Sequence, residues 1–248
     1  KTVVKMPLLS LSEKYVSVPI GNTLNVFCRN TGKLLLQFKC DENDIAALAN
    51  NKNNGKKQKE AADADEEKKA INKHCSITHI EYSAKHDCFA IVTDDKIVRI
   101  LLHRNQITKP SDEHDEDDND IDIDADAPLY QLHKIKKMDK KISALCLSPC
   151  SDDSQQEQYL ILADKFGVIS VYYLPSLKLK YDGAGHLSII SDVALDADGQ
   201  VLCSADKDFK IRISRFPRIY IIDAFCYGHT QAVTKCVVVE HRRCTEAV

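Results

Sequence analysis

Residues 185–214 read GHLSIISDVALDADGQVLCSADKDFKIRIS, and residues 225–230 read FCYGHT. Gly-His therefore recurs 43 residues later, at Gly228-His229. Between the two pairs the apolar residues alternate with polar ones in three short runs. The first run is Ile190–Leu195, followed by the turn Asp196-Ala-Asp-Gly199, and the second is Val201–Ser204. The polar hairpin Asp206-Lys207-Asp208 leads to the third, Lys210–Ile213. Alternation of period two, interrupted by Asp and Gly, predicts antiparallel strands joined by tight turns.

The same unit appears upstream. Its third-strand cores are Thr23–Phe27, Lys96–Ile100, Gly167–Val171 and Lys210–Ile213. Second strands are expected at Cys88–Thr93, Tyr159–Ala163 and Val201–Ser204, and first strands at Ile77–Tyr82, Ile142–Leu147 and Ile190–Leu195. Ile169 to Ile211 is 42 residues, whereas Val26 to Val98 is 72 and Val98 to Ile169 is 71. Each long interval holds one polar insertion, and without it the spacing approaches the roughly 40–45 residues of a WD repeat. The expected fold class is therefore all-β, a WD40-type β-propeller with about four blades and the start of a fifth at Val233–Val239.

The expected layout runs as follows. Residues 1–104 hold two blades with a low-complexity insertion at 41–74, and 105–128 is an acidic disordered loop. Residues 129–227 hold the third and fourth blades, and 228–248 begin a fifth. A closed ring removes sheet edges, so the chain reads as part of one longer, truncated propeller. The acidic block Asp112–Asp126 contains ten carboxylates. Just after it come Lys134, Lys136, Lys137, Lys140 and Lys141, expected as a solvated loop and strand entry; Lys134, Lys136 and Lys137 are the RNA-facing candidates.

The totals exclude little. The chain has 248 residues and a formal net charge of −3, so its average electrostatics select no partner. No apolar run is long enough to span a membrane, and no N-terminal signal pattern is visible. The ten cysteines form no Cys-x-x-Cys pair and no four-ligand set, so free thiols are expected and no metal site. No phosphate-binding loop, zinc-protease motif or nucleophile elbow occurs. His186 and His229 follow Gly at the repeat boundary and are expected to bond within their blades. For His186 the partners expected are Ser204 and Asp208, with Asp206 and Asp208 also bonding the turn backbone. Lys210, Arg212 and Ser214 share one strand face, Ile211 and Ile213 the other. That arrangement suits either a solvated basic face or a basic anchor for an acidic protein surface.

Ala163–Gly167, Gly185–Ser188, Asp192–Ala194, Ser204–Ser214 and Phe225–Thr230 together resemble the WD-repeat non-catalytic subunit of tRNA guanine-N7 methyltransferase. In that family an Ala-Asp-Arg-Asp-x-x-Ile-Arg/Lys-Val/Ile-Ser core replaces the generic WD ending. Lys207 stands where the family usually has Arg, and Ser214 where an ordinary WD repeat has Trp; the chain contains no Trp. The specific match covers residues 142–236.

The resemblance implies a seven-bladed propeller that supplies no catalytic group and needs no cofactor of its own. Its expected partner is a separate catalytic subunit, which binds S-adenosylmethionine and forms 7-methylguanosine in the tRNA variable loop. Partner contact is implied for Arg212, with Lys210 and Lys207 beside it, so that Arg212→Ala would weaken the complex and leave the blade folded. tRNA is met through the complex. A nuclear location is implied, with the cytoplasm open as well. The competing readings are a general WD interaction scaffold in another nuclear assembly and an enzyme with an unrecognised site.

Overall fold

The computed structural model describes residues 10–12, 14–40, 75–106, 129–149 and 157–239. The insertion at 41–74, the acidic block, Cys150 and Cys244 lie outside the described residues. Four antiparallel four-stranded sheets form, two in each of two compact units, residues 1–136 and 137–248.

The first unit holds β1 (Ser10–Leu11), β2 (Tyr15–Ile20), β3 (Thr23–Cys28) and β4 (Leu34–Lys39) in that order. Its second sheet is β5 (Ile77–Ser83), β6 (Cys88–Thr93), β7 (Ile97–His103) and β8 (Tyr130–Lys137), with a 3-10 turn, Arg104–Gln106, after β7. Leu24, Val26, Leu36, Ile80, Phe89, Ile91 and Leu101 form its buried core. Tyr15 stands edge-on to Tyr82 at 5.0 Å, and Phe89 meets Tyr130 at 5.0 Å. Both phenols are tied down, since Tyr82 and Tyr130 donate to Asp87 Oδ1 at 2.8 and 2.6 Å.

The second unit holds β9 (Ile142–Leu147), β10 (Tyr159–Asp164), β11 (Val168–Tyr173) and β12 (Leu179–Gly185), then β13 (Ile190–Leu195), β14 (Val201–Asp206), β15 (Ile211–Arg215) and β16 (Ile222–Cys226). One face of each sheet meets the other in a core of Ala144, Ile161, Ala163, Ile169 and Val171 with Ile190, Val193 and Leu202. Phe216 and Ile219 close it. Alternation along each strand is what sends these residues inward together.

Three expectations change. The lysine run is only in part a loop and strand entry: Lys140 and Lys141 lead into β9, but Lys134, Lys136 and Lys137 lie on β8, the outer strand of the second sheet. β7 pairs with one side of β8, and lysines on the open side of such an edge discourage further strand pairing. The second blade therefore takes its fourth strand from beyond the acidic segment, so the boundary between blades falls after Lys137, not at 104–129. Finally, residues 233–239 form no strand. No described strand pairs with them. Asp192 instead pins the segment, accepting from Lys235 Nζ and from the Cys236 backbone, each at 2.9 Å.

Candidate functional site

The charged hairpin singled out from the sequence divides in the structure into a buried network and an exposed rim. The network begins at the β14 end. Ser204 and Asp206 point to the same side of the strand, and both are 1% exposed. The loop after β12 delivers His186 between them. Its Nδ1 lies 2.9 Å from Asp206 Oδ2 and its Nε2 2.7 Å from Ser204 Oγ. The carboxylate fixes the tautomer: Nδ1–H donates to Asp206, and Nε2 accepts from the Ser204 hydroxyl. Asp206 also closes the turn, its Oδ1 accepting the Lys210 N–H at 3.0 Å.

Asp208, expected as a partner of His186, takes no part. It sits exposed at the hairpin tip, two residues past the strand end, and Asp206 holds the inward position instead. His229 is exposed and makes no comparable bond among the described residues.

Arg212 lies inside. It is 5% exposed, and its Nε donates to Ser214 Oγ at 2.9 Å. Nη1 donates to the Gly185 carbonyl at 2.7 Å and Nη2 to the Ile219 carbonyl. The guanidinium thus joins β15 to the end of β12 and to the turn after β15. Register explains the position. Arg212 pairs with Ser204 across the sheet, and in the first unit Arg99 pairs with Ile91 at the equivalent place. Arg99 is 1% exposed and donates to Thr93 Oγ1 at 2.7 Å. A buried arginine thus stands at this register in two of the four sheets, and the other two hold buried Asn25 and Ser170 there. The expectation that Arg212→Ala leaves the blade folded is withdrawn, because three carbonyl or hydroxyl acceptors depend on it. The face with Ser204, Arg212 and Ser214 is buried, while Ile211 and Ile213 on the other are only half-buried, the reverse of a solvated basic face.

Burial pushes the His186 pKa below its usual value, and the Asp206 carboxylate offsets this only in part. An imidazole that resists protonation when folded but protonates freely when unfolded makes stability rise with pH. The contribution is full above about 6.5, the unfolded value. It is lost progressively as pH falls from there toward the lower folded value. Thermal melting between pH 7.5 and 5 is expected to show this slope, reduced in His186→Gln; the same slope in both proteins would contradict the role given to His186.

The rim is a different surface. Lys207 is exposed and Lys210 half-buried. Beside them stand large apolar side chains in water: Phe166 is 66% exposed, Phe209 43% and Leu187 fully. Composition alone does not reveal these. The repeated pattern Asp164-Lys-Phe and Asp206-Lys-Asp-Phe is the signal that points to them. Lys134 and Lys137 on β8 are also exposed. Among the described residues no group of three or more His, Cys, Asp or Glu could hold a metal ion, and eight cysteines are free thiols.

Residues 183–245 match the family model for the tRNA methyltransferase TRM82 WD40 domain. Curated relatives named as tRNA (guanine-N(7)-)-methyltransferase non-catalytic subunits align as well. The Xenopus laevis protein is 30% identical over 109 residues, 44% of this chain and 26% of that one. The Danio rerio protein is 43% identical over 86 residues, covering 34% and 21%. The Kluyveromyces lactis protein is 33% identical over 123 residues, covering 45% and 26%. The chain spans about a quarter of the length of the curated relatives it matches. Among solved structures, a chain in the crystal structure of a mitotic checkpoint complex superposes with a TM-score of 0.57 at 14% identity, over 92% of this chain and 53% of that one. That likeness concerns the fold alone, which is an all-β, WD40-type β-propeller fold. In sheet architecture this chain is of the WD40 type, and in sequence residues 183–245 are similar to the WD-repeat non-catalytic subunits of tRNA (guanine-N(7)-)-methyltransferase.

Proposed function

We propose that this protein is a non-catalytic scaffold that binds and holds the catalytic subunit of a tRNA guanine-N7 methyltransferase, which forms 7-methylguanosine in the tRNA variable loop. The observation that carries the reading is the match of residues 183–245, the stretch containing the His186–Asp206–Arg212 network and the rim residues Leu187, Lys207 and Phe209, to the WD domain of that family. The polar groups of the network are engaged with one another, as befits a framework. S-adenosylmethionine belongs on the partner, and tRNA reaches this protein through the complex.

The test is reconstitution. The full-length protein and the methyltransferase subunit of the same organism are assayed on tRNA, separately and together. This protein alone is expected to form no 7-methylguanosine, and its addition to raise the yield from the methyltransferase. Equal yield with and without it would count against the scaffold role and leave a WD scaffold for another assembly.

A further inference from the structure

One edge of the second unit is built as a continuous strip. Its first piece is the loop between β8 and β9, and the β10–β11 turn is fastened to it by Lys165 N–H donating to the Lys141 carbonyl at 3.0 Å. Lys140 Nζ lies 4.4 Å from the centre of the Phe166 ring across the same junction. The His186 N–H then donates to the Gly167 carbonyl at 2.7 Å, which fastens that turn to the loop after β12. The Lys207 N–H donates to the Ile189 carbonyl at 3.0 Å, which adds the β14–β15 turn. Two aspartates stiffen the turns from within: Asp164 accepts the Phe166 and Val168 N–H groups, and Asp206 the Lys210 N–H.

This strip presents large apolar side chains to water. Phe166, Leu187 and Phe209 stand in water on three pieces of it that the backbone bonds hold side by side, and apolar side chains gathered on one surface mark interaction sites. Lys140, Lys165 and Lys207 are interleaved with them and exposed. Two exposed carboxylates, Asp139 and Asp208, stand on the same turns beside Lys140 and Lys207. Of the corresponding turns of the first unit, the one beside Asn22 presents a single exposed apolar residue, Ile20 at 68%, and neither it nor Asp94–Lys96 presents an exposed aromatic residue. Apolar anchors enclosed by charges on a preorganised frame are the makings of a protein-docking surface. The fully exposed aliphatic Leu187 favours protein over nucleic acid, since it offers no ring for a base to stack on.

We propose that this strip, with Phe166, Leu187 and Phe209 as anchors and the lysines as its rim, docks the methyltransferase subunit through an apolar surface bordered by carboxylates. The inference deepens the proposed function and rests on it. It transfers the anchor from buried Arg212 to exposed side chains and keeps Lys207 in partner contact.

The experiment measures affinity of the full-length protein for the methyltransferase subunit of the same organism by titration calorimetry. Three variants accompany the wild type: Phe166→Ser with Phe209→Asn, Lys165→Glu with Lys207→Glu, and, as a control elsewhere, Lys134→Glu with Lys137→Glu. Asn suits position 209, whose φ is 71°. The aromatic pair is expected to lose about 30-fold or more in affinity, as anchors do. The strip reversal is expected to lose about tenfold, more at low salt than at high. The control should bind as the wild type does, and all melting temperatures should agree. Wild-type binding that both strip variants retain within about twofold would overturn the strip while keeping the proposed function. No binding by the wild type would overturn both.

Discussion

Arg212→Ala is expected to destabilise the second unit by about 2–5 kcal/mol, the range for losing a buried, fully engaged ionic side chain. Truncation removes the donors to Ser214 Oγ and to the Gly185 and Ile219 carbonyls at once. It also leaves a cavity beneath the β14–β15 ladder. Lysine offers no rescue, because one ammonium cannot reach three acceptors spread around a planar fork. Hydrogen exchange in the full-length protein should show faster exchange of β14 and β15 amides, with a lowered melting midpoint. Lys207→Glu, exposed in the turn four residues before β15 begins, should change stability by no more than about 0.5 kcal/mol. Wild-type protection in Arg212→Ala would contradict the network. A binding defect in that variant alone is therefore no measure of partner contact.

Gly185→Ala is expected to cost a comparable amount, about 2–5 kcal/mol, by overpacking and backbone displacement. A Cβ at Gly185 would lie 2.0 Å from the Gly167 carbonyl oxygen, and one at Gly167 would lie 2.2 Å from the His186 carbonyl oxygen. Both obstacles are backbone, so no side chain can turn aside. Gly167 also has φ +90°, a conformation closed to most L-residues. The close approach is what lets the His186 N–H reach Gly167 and places the imidazole between Ser204 and Asp206. Gly185→Ala should therefore lower the melting temperature and flatten the His186 pH slope together. An unchanged slope in a folded Gly185→Ala protein would separate the glycine contact from the histidine network.

The Gly-His recurrence and the Asp-anchored turns made the inner three strands of the blades legible. Cys88–Thr93, Ile142–Leu147 and Ile190–Leu195 are strands with those very bounds. Outer strands were harder to see. β8 carries lysines at 134, 136 and 137, and every residue of β16 is exposed, so neither shows the alternation that burial imposes. Their hydrogen bonds come from the neighbouring strand, which local pattern does not report. At the site, Ser204 and His186 were readable as partners. The choice of Asp206 over Asp208 was not, because it depends on where the strand ends. Arg212 misled for a related reason. Strand alternation tells which residues share a face but not which face is covered, and here the polar face of β15 is the buried one. The exposure of Phe166, Leu187 and Phe209 likewise depends on the loops around them.

The proposed function requires a stable pairing between this protein and a tRNA guanine-N7 methyltransferase subunit. Size-exclusion chromatography with light scattering, run on the full-length protein mixed with the methyltransferase subunit of the same organism, tests it most directly. The account predicts one co-eluting species with the summed mass of the two chains. Two separate peaks at their individual masses, at micromolar concentrations of both, would contradict it.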